Sequence, residues 1–189
     1  MEMTSAAPAK DSQTQLNSVQ LNIVTLVDMA KATSSGLLDG AMYMMDNSEG
    51  GRGRGTAHLE TVCKQGQVLN WIIRPMDMDR RSDGTWPPMP KISNIVFLDH
   101  EAGGEEDVAE GRICRELKIY GMVDNVRSPS TPTYYYWAGM VSADLPPGMY
   151  RYRLVLELEQ ESSPEKVYLG TRAPHPSIRV LPMGPATAG

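Results

Sequence analysis

The sequence predicts an all-β protein, a two-sheet antiparallel β-sandwich that is jelly-roll-like and has at most one short helix. Short runs in which apolar and polar residues alternate follow one another along most of the chain, as they do in strands that bury one face. The 17 Gly and 14 Pro fall mostly between these runs, where strand proteins place their turns. Many short strands with frequent turns and little helix favour two sheets packed face to face.

Ten segments are predicted to be strands. In the first, Val19, Leu21 and Ile23 lie on one face, with Gln20 and Asn22 on the other. The predicted strands are residues 19–27, 40–45, 55–63, 68–74, 92–98, 113–122, 134–143, 149–159, 167–170 and 177–181. Residues 28–38 are the one stretch that could be helical, and the Ser-Ser-Gly within it predicts that any helix is short.

Residues 149–159 have the clearest strand pattern. Tyr152, Leu154 and Leu156 share one face, whereas Arg153 and Glu157 lie on the opposite face. This alternation predicts one face in the core and one in solvent. The Asp-Leu-Pro-Pro-Gly that precedes the strand is a turn signal, and we expect it to join this strand in a hairpin to the strand before it.

That preceding strand, which contains Tyr-Tyr-Tyr-Trp, has no charge on either face. A strand that is apolar on both faces is covered on both faces. Tyr135 and Trp137 are predicted to face the core. Tyr134, Tyr136 and Met140 are predicted to meet a covering loop or a second subunit, and a self-complementary contact of this kind most often closes as a two-fold dimer. They are the candidate residues for self-association into a homodimer or a higher homo-oligomer.

The length of 189 residues and the composition fit one ordinary globular domain. We predict a β-sandwich domain at residues 18–182, with flexible tails at 1–17 and 183–189. The formal net charge of −5 argues against a sequence-independent grip on nucleic acid, which needs a basic face. We find no apolar run of about 18 residues and no secretory leader, so the expected location is the cytoplasm, without a membrane partner.

Nothing in the sequence has the spacing of a catalytic or metal-binding motif. The histidines, His58, His100 and His175, are scattered, and no Gly-x-Ser-x-Gly elbow or close pair of metal ligands is found. We therefore predict no enzyme activity, no metal site and no cofactor. Cys63 and Cys114 lie in apolar runs and are expected to be buried, reduced thiols, although a disulfide between them stays open.

An active site, if there were one, would need acidic residues that converge in a cleft. Asp28, Asp46 and Glu60 are the residues to inspect for this. The Gly-rich residues 50–55 are better explained as a flexible loop with two exposed arginines than as a phosphate cradle, because a predicted strand follows them and not a helix. Residues 77–84 and the acidic run at 101–110 are predicted to be solvated loops.

The three tryptophans allow an alternative function. Trp71, Trp86 and Trp137 could stack on a sugar or another small ligand, although aromatic residues in strands more often belong to the core. Trp86 differs because it lies in a Pro-rich loop. A small-ligand or carbohydrate-binding module is therefore the second hypothesis.

Several segments, taken in their order, resemble the bacterial AidA/PixA inclusion-body protein family. They are NIVTLVD at 22–28, YMMDN at 43–47, GTAHLETV at 55–62, VLNWIIR at 68–74, the tyrosine-rich pair of strands at 134–158 and HPSIRVL at 175–181. The insert at 75–111 fits less well. The resemblance implies a cytoplasmic β-sandwich without catalytic residues, found in bacterial inclusions and linked to quorum-regulated, stationary-phase or host-interaction physiology. The first hypothesis is therefore a non-enzymatic, self-associating protein of this kind.

Overall fold

The computed structural model describes residues 20–79, 82–84, 89–98, 113–120, 136–159 and 165–183. Each of the ten predicted strand segments overlaps a strand within these ranges. The elements are β1 (Leu21–Val27), α1 (Met29–Ser35), β2 (Met42–Asp46), β3 (Glu60–Lys64), β4 (Val68–Pro75), β5 (Lys91–Phe97), β6 (Cys114–Tyr120), β7 (Tyr136–Val141), β8 (Gly148–Glu159), β9 (Lys166–Gly170) and β10 (Ser177–Leu181). Of the predicted tails, residues 1–17 and 183–189, only Met183 lies within the described part of the chain.

The strands form two sheets that pack as a sandwich, which confirms the predicted fold class. Sheet I has the order β2-β1-β4-β7-β6. Sheet II has the order β3-β10-β8-β5, and β9 also pairs with β8. Both sheets are mixed and not purely antiparallel as predicted, because β1 runs parallel to β4 and β3 runs parallel to β10. Between β1 and β4 the chain enters sheet II as β3, and this crossover lets it return in the same direction.

The helix α1 begins and ends where its local chemistry predicts. Asp28 caps its first turn, with its Oδ1 accepting a hydrogen bond from the backbone N of Lys31 at 2.9 Å. Gly36 ends it in the left-handed region, φ 68°, and donates its N–H to the Ala32 carbonyl. Ala32 is the buried residue of this seven-residue helix, and Met29 also packs against the core.

The core lies between the sheets and is centred on three aromatic rings. Trp71 from sheet I contacts Tyr152 and Phe97 from sheet II, with ring centroids 6.0 Å and 6.3 Å away. Tyr152, Leu154, Leu156 and Leu158 on β8 have no exposed surface, which confirms the predicted core face of this strand.

The predicted hairpin between residues 134–143 and 149–159 is wrong. The strand β7 pairs with β4 and β6 in sheet I, whereas β8 pairs with β5, β9 and β10 in sheet II. The turn between them carries the chain from sheet I to sheet II, and Leu145 within it is buried. A Pro-Pro-Gly signal predicts that the chain reverses, but it does not say whether the returning strand joins the same sheet.

Candidate interaction surface

A continuous row of apolar and aromatic side chains crosses the outer face of sheet I, with one residue from each strand. The strand registers place Val24 between Met45 and Ile72. They place Tyr136 between Ile72 and Tyr120. Directly opposite residues have Cβ atoms about 5 Å apart, so the five side chains form one stripe, which we name the apolar row.

The two ends of the apolar row are the most exposed. Met45 is 41% exposed and Tyr120 is 44% exposed, whereas the three residues between them are half-buried by their neighbours. The rings of Tyr120 and Tyr136 stack with centroids 5.3 Å apart and 13° between their planes. The stack gives the β6 end of the row a flat aromatic surface, and long apolar patches on soluble proteins commonly mark interaction sites.

A row of amide side chains lies beside the apolar row. Asn70 donates from Nδ2 to Asn22 Oδ1 at 2.9 Å and to Gln20 Oε1 at 3.1 Å. The Oδ1 of Asn47 accepts a hydrogen bond from the backbone N of Asn22 at 2.8 Å. Asn70 is buried on this outer face because its amide has these partners. We name Asn47, Asn22 and Asn70 the amide row.

Met140, 44% exposed, lies on the same face next to Arg115 of β6. Arg115 donates to Ser142 Oγ and to Asp144 Oδ1, each at 3.0 Å. The hydrogen bond from Ser142 lowers the pKa of Asp144, and the Arg115 charge adds to this effect. The Arg115 guanidinium next to Met140 is therefore paired with the ionised carboxylate of Asp144.

The outer face of sheet II carries ion pairs instead of an apolar stripe. Glu157 Oε1 lies 2.7 Å from Lys166 Nζ and 3.9 Å from Lys91 Nζ. Glu60 Oε1 lies 2.6 Å from Arg179 Nη2. The Glu157 and Glu60 side chains are only 15% and 16% exposed, and each is neutralised by the cation paired with it. The two outer faces of the sandwich thus differ in chemistry.

The Glu157 cluster shifts the pKa values of its members. The hydrogen bond from Lys166 lowers the pKa of Glu157, and the phenol of Tyr168, which donates to Glu157 Oε2 at 3.1 Å, lowers it further. The same bond raises the pKa of Lys166. Both groups are therefore held in their charged forms on this face.

The predicted self-association residues are placed in part. Tyr136 and Met140 lie on the outer face of sheet I, with Tyr136 within the apolar row. Trp137 lies on the opposite, inner face and packs against the core, as expected. Tyr134 and Tyr135 lie outside the described residues.

The two tryptophans that the structure describes lie opposite each other on β4 and β7, on the inner face of sheet I. Trp71 has no exposed area, so it is a core residue and cannot act as a ligand platform, which corrects its candidacy. Trp137 is half-buried, and its Nε1 donates to the Ile92 carbonyl at 3.1 Å. Trp86 lies outside the described residues.

The three acids selected for inspection have separate structural roles. Asp28 caps α1, Glu60 pairs with an arginine of β10, and Asp46 pairs with Arg54 at 2.9 Å. Each carboxylate serves a different element of the fold, and the structure does not bring the three together.

The Gly-rich loop at residues 50–55 is tied to the sheet. Arg54, whose side chain is 45% exposed, bonds the fully buried carboxylate of Asp46. A Cβ at Gly51 would lie 2.7 Å from Ser48 Oγ and 2.9 Å from Asp46 Oδ1, so a glycine is needed for this close approach. The expected flexible loop is instead closed by an ion pair, although the arginines are exposed as expected.

Cys63 and Cys114 are free and buried, as predicted. Burial raises the pKa of each thiol to about 12, so neither forms a thiolate near neutral pH. Among the described residues, no group of three or more His, Cys, Asp or Glu side chains is arranged to hold a metal ion. In the same part of the chain, no helix has the length and apolar character needed to cross a membrane.

Most of the apolar row was missed by the sequence analysis. Met45, Val24, Ile72 and Tyr120 stand at outward positions of four different strands, and only the strand registers bring them into line. A signal did exist in β1 and β4, because the pairs Ile-Val at 23–24 and Leu-Val at 26–27 and the run Trp-Ile-Ile at 71–73 are apolar at successive positions. Such runs indicate a strand that is covered on both faces.

Comparison with known proteins adds the fold relationship. A family model for a domain of unknown function (DUF8788) matches residues 19–83, which include β1 to β4. No curated protein sequence matches the chain. Among solved structures, the inclusion body protein PixA from Burkholderia cenocepacia J2315 aligns with a TM-score of 0.55 over 87% of this chain and 95% of that chain. The chain shares the fold of PixA. The sequence identity is 9%, so the similarity is a distant structural relation and shows the fold alone.

Proposed function

We propose that the chain is a non-enzymatic, self-associating protein of the inclusion-body type, and that its copies meet through the outer face of sheet I. The observation that carries this proposal is the contrast between the two outer faces. The face of sheet II carries ion pairs around Glu157 and Glu60, and its exposed large apolar side chains, Tyr168 and Leu181, stand on separate strands. The face of sheet I carries the apolar row, whose ends at Met45 and Tyr120 are exposed.

Two further observations support the proposal. A solved protein that shares the fold is described as an inclusion body protein, and the segments quoted above resemble the AidA/PixA family in their order. On the same resemblance we propose a cytoplasmic location in a bacterial cell and a link to quorum-regulated, stationary-phase or host-interaction physiology. The separate structural roles of Asp28, Asp46 and Glu60 favour a role without catalysis.

The second hypothesis, a small-ligand or carbohydrate-binding module, has weaker support. Of its candidate residues, Trp71 is enclosed in the core and Trp137 is held by its bond to the Ile92 carbonyl. This hypothesis needs a tryptophan ring that is exposed and free to stack on a ligand. Neither Trp71 nor Trp137 supplies one.

Size-exclusion chromatography with light scattering on a pair of matched variants tests the proposal. Tyr136→Glu places a charge within the apolar row, so it should weaken self-association while the circular dichroism spectrum stays β-rich. Leu181→Glu is the control, because Leu181 is 38% exposed at the end of β10 in sheet II and should leave the mass unchanged. Equal masses for the two folded variants and the wild-type protein would count against the proposed face.

A further inference from the structure

We infer that one end of the outer face of sheet II binds a small anion that carries two or more phosphate groups. Four arginines lie at this end, and we name them the arginine cluster: Arg52, Arg151, Arg153 and Arg179. The cluster lies on the outer face opposite the one that carries the apolar row. Binding there is therefore independent of the proposed self-association, and a dimer through sheet I would leave the cluster of each copy accessible.

The strand registers bring two of the arginines into one row. Glu60 of β3 stands opposite Ser177 of β10, and Ser177 stands opposite Arg151 of β8. On the other side of Glu60, Arg52 is bound to it by backbone hydrogen bonds in both directions. Directly opposite residues point to the same face, so the four positions form a row. Three strand spacings of about 4.8 Å give this row a length of roughly 14 Å.

Arg153 and Arg179 extend the row along the strands. Arg153 lies two residues after Arg151 on the outer face of β8, about 7 Å away. Arg179 lies two residues after Ser177 on β10 and is therefore diagonal to Arg151. Diagonal neighbours lie about 7–8 Å apart, a distance that long side chains can bridge. The guanidinium groups of Arg151, Arg153 and Arg179 can therefore reach one bound molecule.

The arginine cluster holds an excess of positive charge. The carboxylate within it is that of Glu60, whose Oε1 lies 2.6 Å from Arg179 Nη2. Among the described residues, Arg52, Arg151 and Arg153 form no ion pair with a carboxylate. Four guanidinium groups and one carboxylate leave three positive charges, in a chain whose formal net charge is −5. At the other end of the same face, two lysines meet two glutamates, so the excess is local to the arginines.

The fold positions Arg153 through its neighbour on β9. The Cδ and Cγ atoms of Arg153 lie 3.4 Å and 3.7 Å from the place that a Cβ would take at Gly170, so its stem packs where β9 has no side chain. In the described part of the chain, the Nε atoms of Arg153 and Arg179 are buried without a hydrogen-bond partner. Such charged N–H groups are unfavourable when buried. An anion bound to the Nη atoms would neutralise the charge and offset part of this cost.

Phosphate groups suit this cluster in geometry and in charge. A guanidinium group presents parallel N–H donors that match two oxygens of a phosphate or a carboxylate. A phosphate group carries about −1.5 to −2 charges near pH 7, whereas a carboxylate carries a single one. Three positive charges within roughly 14 Å are therefore better matched by a short chain of phosphates than by scattered carboxylates.

The surroundings of the cluster favour recognition of the phosphate chain alone. The residues opposite Arg179 on the two neighbouring strands are Val62 and Met149. Neither offers an aromatic ring on which a nucleobase could stack. We therefore expect inorganic triphosphate to be as good a ligand as a nucleoside triphosphate.

Isothermal titration calorimetry of the full-length protein with inorganic triphosphate, in buffer without divalent cations, tests this site. The double variant Arg52→Gln with Arg151→Gln should bind at least about tenfold more weakly than the wild-type protein, because two charge-assisted contacts are lost. Both side chains are exposed, so the fold should tolerate the changes. Absence of binding by the wild-type protein at millimolar triphosphate would overturn the inference.

Lys166→Gln is the matched control, because it removes a positive charge from the other end of the same face. Lys166 stands opposite Glu159, six residues beyond Arg153 on β8, which places it about 20 Å away. This distance exceeds the Debye length of about 8 Å at physiological salt, so the affinity for triphosphate should be nearly unchanged. A loss equal to that of the double variant would show that only the total charge of the protein matters, and it would contradict a local site.

Glu60→Gln gives a readout that damage to the fold cannot mimic. The change removes the carboxylate from the cluster and releases Arg179 from its ion pair, while it keeps a side chain of the same size. Triphosphate should then bind several-fold more tightly. An unchanged or weaker affinity would contradict a site that depends on the excess of positive charge.

Two further ligands identify what the cluster recognises. A nucleoside triphosphate should bind as inorganic triphosphate does, and a much tighter binding would overturn the recognition of the phosphate chain alone. The peptide tetraglutamate should bind more weakly than triphosphate, because its charge is spread over separate carboxylates. Tighter binding of this peptide would overturn the choice of phosphate and indicate an acidic protein partner instead.

Discussion

Trp71 of sheet I and Tyr152 of sheet II meet edge to face across the sandwich, with ring centroids 6.0 Å apart and 79° between their planes. Neither residue has exposed surface. Edge-to-face pairs of this kind contribute about 0.5–1.5 kcal/mol beyond the area that they bury. The contact joins the central strand of sheet I to the longest strand of sheet II, so it holds the two layers together at their middle.

Tyr152→Phe should leave stability unchanged or raise it by up to about 1 kcal/mol. Among the described residues, the buried Tyr152 hydroxyl has no partner at full hydrogen-bonding geometry. Burial raises the pKa of the phenol, and the nearby Trp71 side chain opposes this shift only in part, so the hydroxyl contributes little to stability. The ring and its contact with Trp71 are kept in the variant. Urea denaturation measures the change, and a loss above about 1 kcal/mol would show that the hydroxyl is bonded in the folded protein.

Leu156→Ala should cost about 2–5 kcal/mol, because a fully buried leucine leaves a cavity when it is shortened. Arg153→Ala, on the other face of β8, should cost much less. Its side chain is half-buried, and its methylene stem packs over Gly170, so the loss should still be measurable. Comparable losses in chemical denaturation would mean that both faces of β8 carry core.

The strands could be predicted from the sequence, whereas their pairing could not. In β8 the alternation of Tyr152, Leu154 and Leu156 with charged residues indicates both the strand and its inner face. Local patterns of this kind depend on neighbours one or two positions away. The turn before β8 does not reveal whether the chain stays in one sheet, and so the predicted hairpin failed.

The candidate surface was only partly predictable for a related reason. The uncharged outer face of β7 indicated that Tyr136 and Met140 would be covered. The rest of the apolar row comes from strands distant in sequence, and Tyr120 joins Tyr136 only through the β6–β7 register. Asn70 shows the converse, because a polar residue in a strand indicates solvent, yet its hydrogen bonds to Asn22 and Gln20 allow it to be buried.

The Glu157 cluster should make stability depend on pH in the acid range. Because the pKa of Glu157 is lowered in the folded protein, its carboxylate stabilises the fold at pH values above 4.5, the ordinary glutamate pKa. This contribution is lost as the pH falls through the lower pKa of the folded state. Lys166→Ala removes the largest cause of the shift, so wild type and variant should differ near neutral pH and converge in acid. Urea denaturation of both proteins at several pH values measures the difference in their free energies of unfolding. A difference that stays constant with pH would contradict the assignment of the pKa shift to Lys166.

Sedimentation equilibrium of the wild-type protein over a wide concentration range tests the central claim most directly. Self-association through the outer face of sheet I predicts a mass of at least twice the 20.8 kDa of one chain, falling towards the single-chain value only on dilution. A mass of 20.8 kDa at every concentration, including the highest that stays in solution, would contradict the claim.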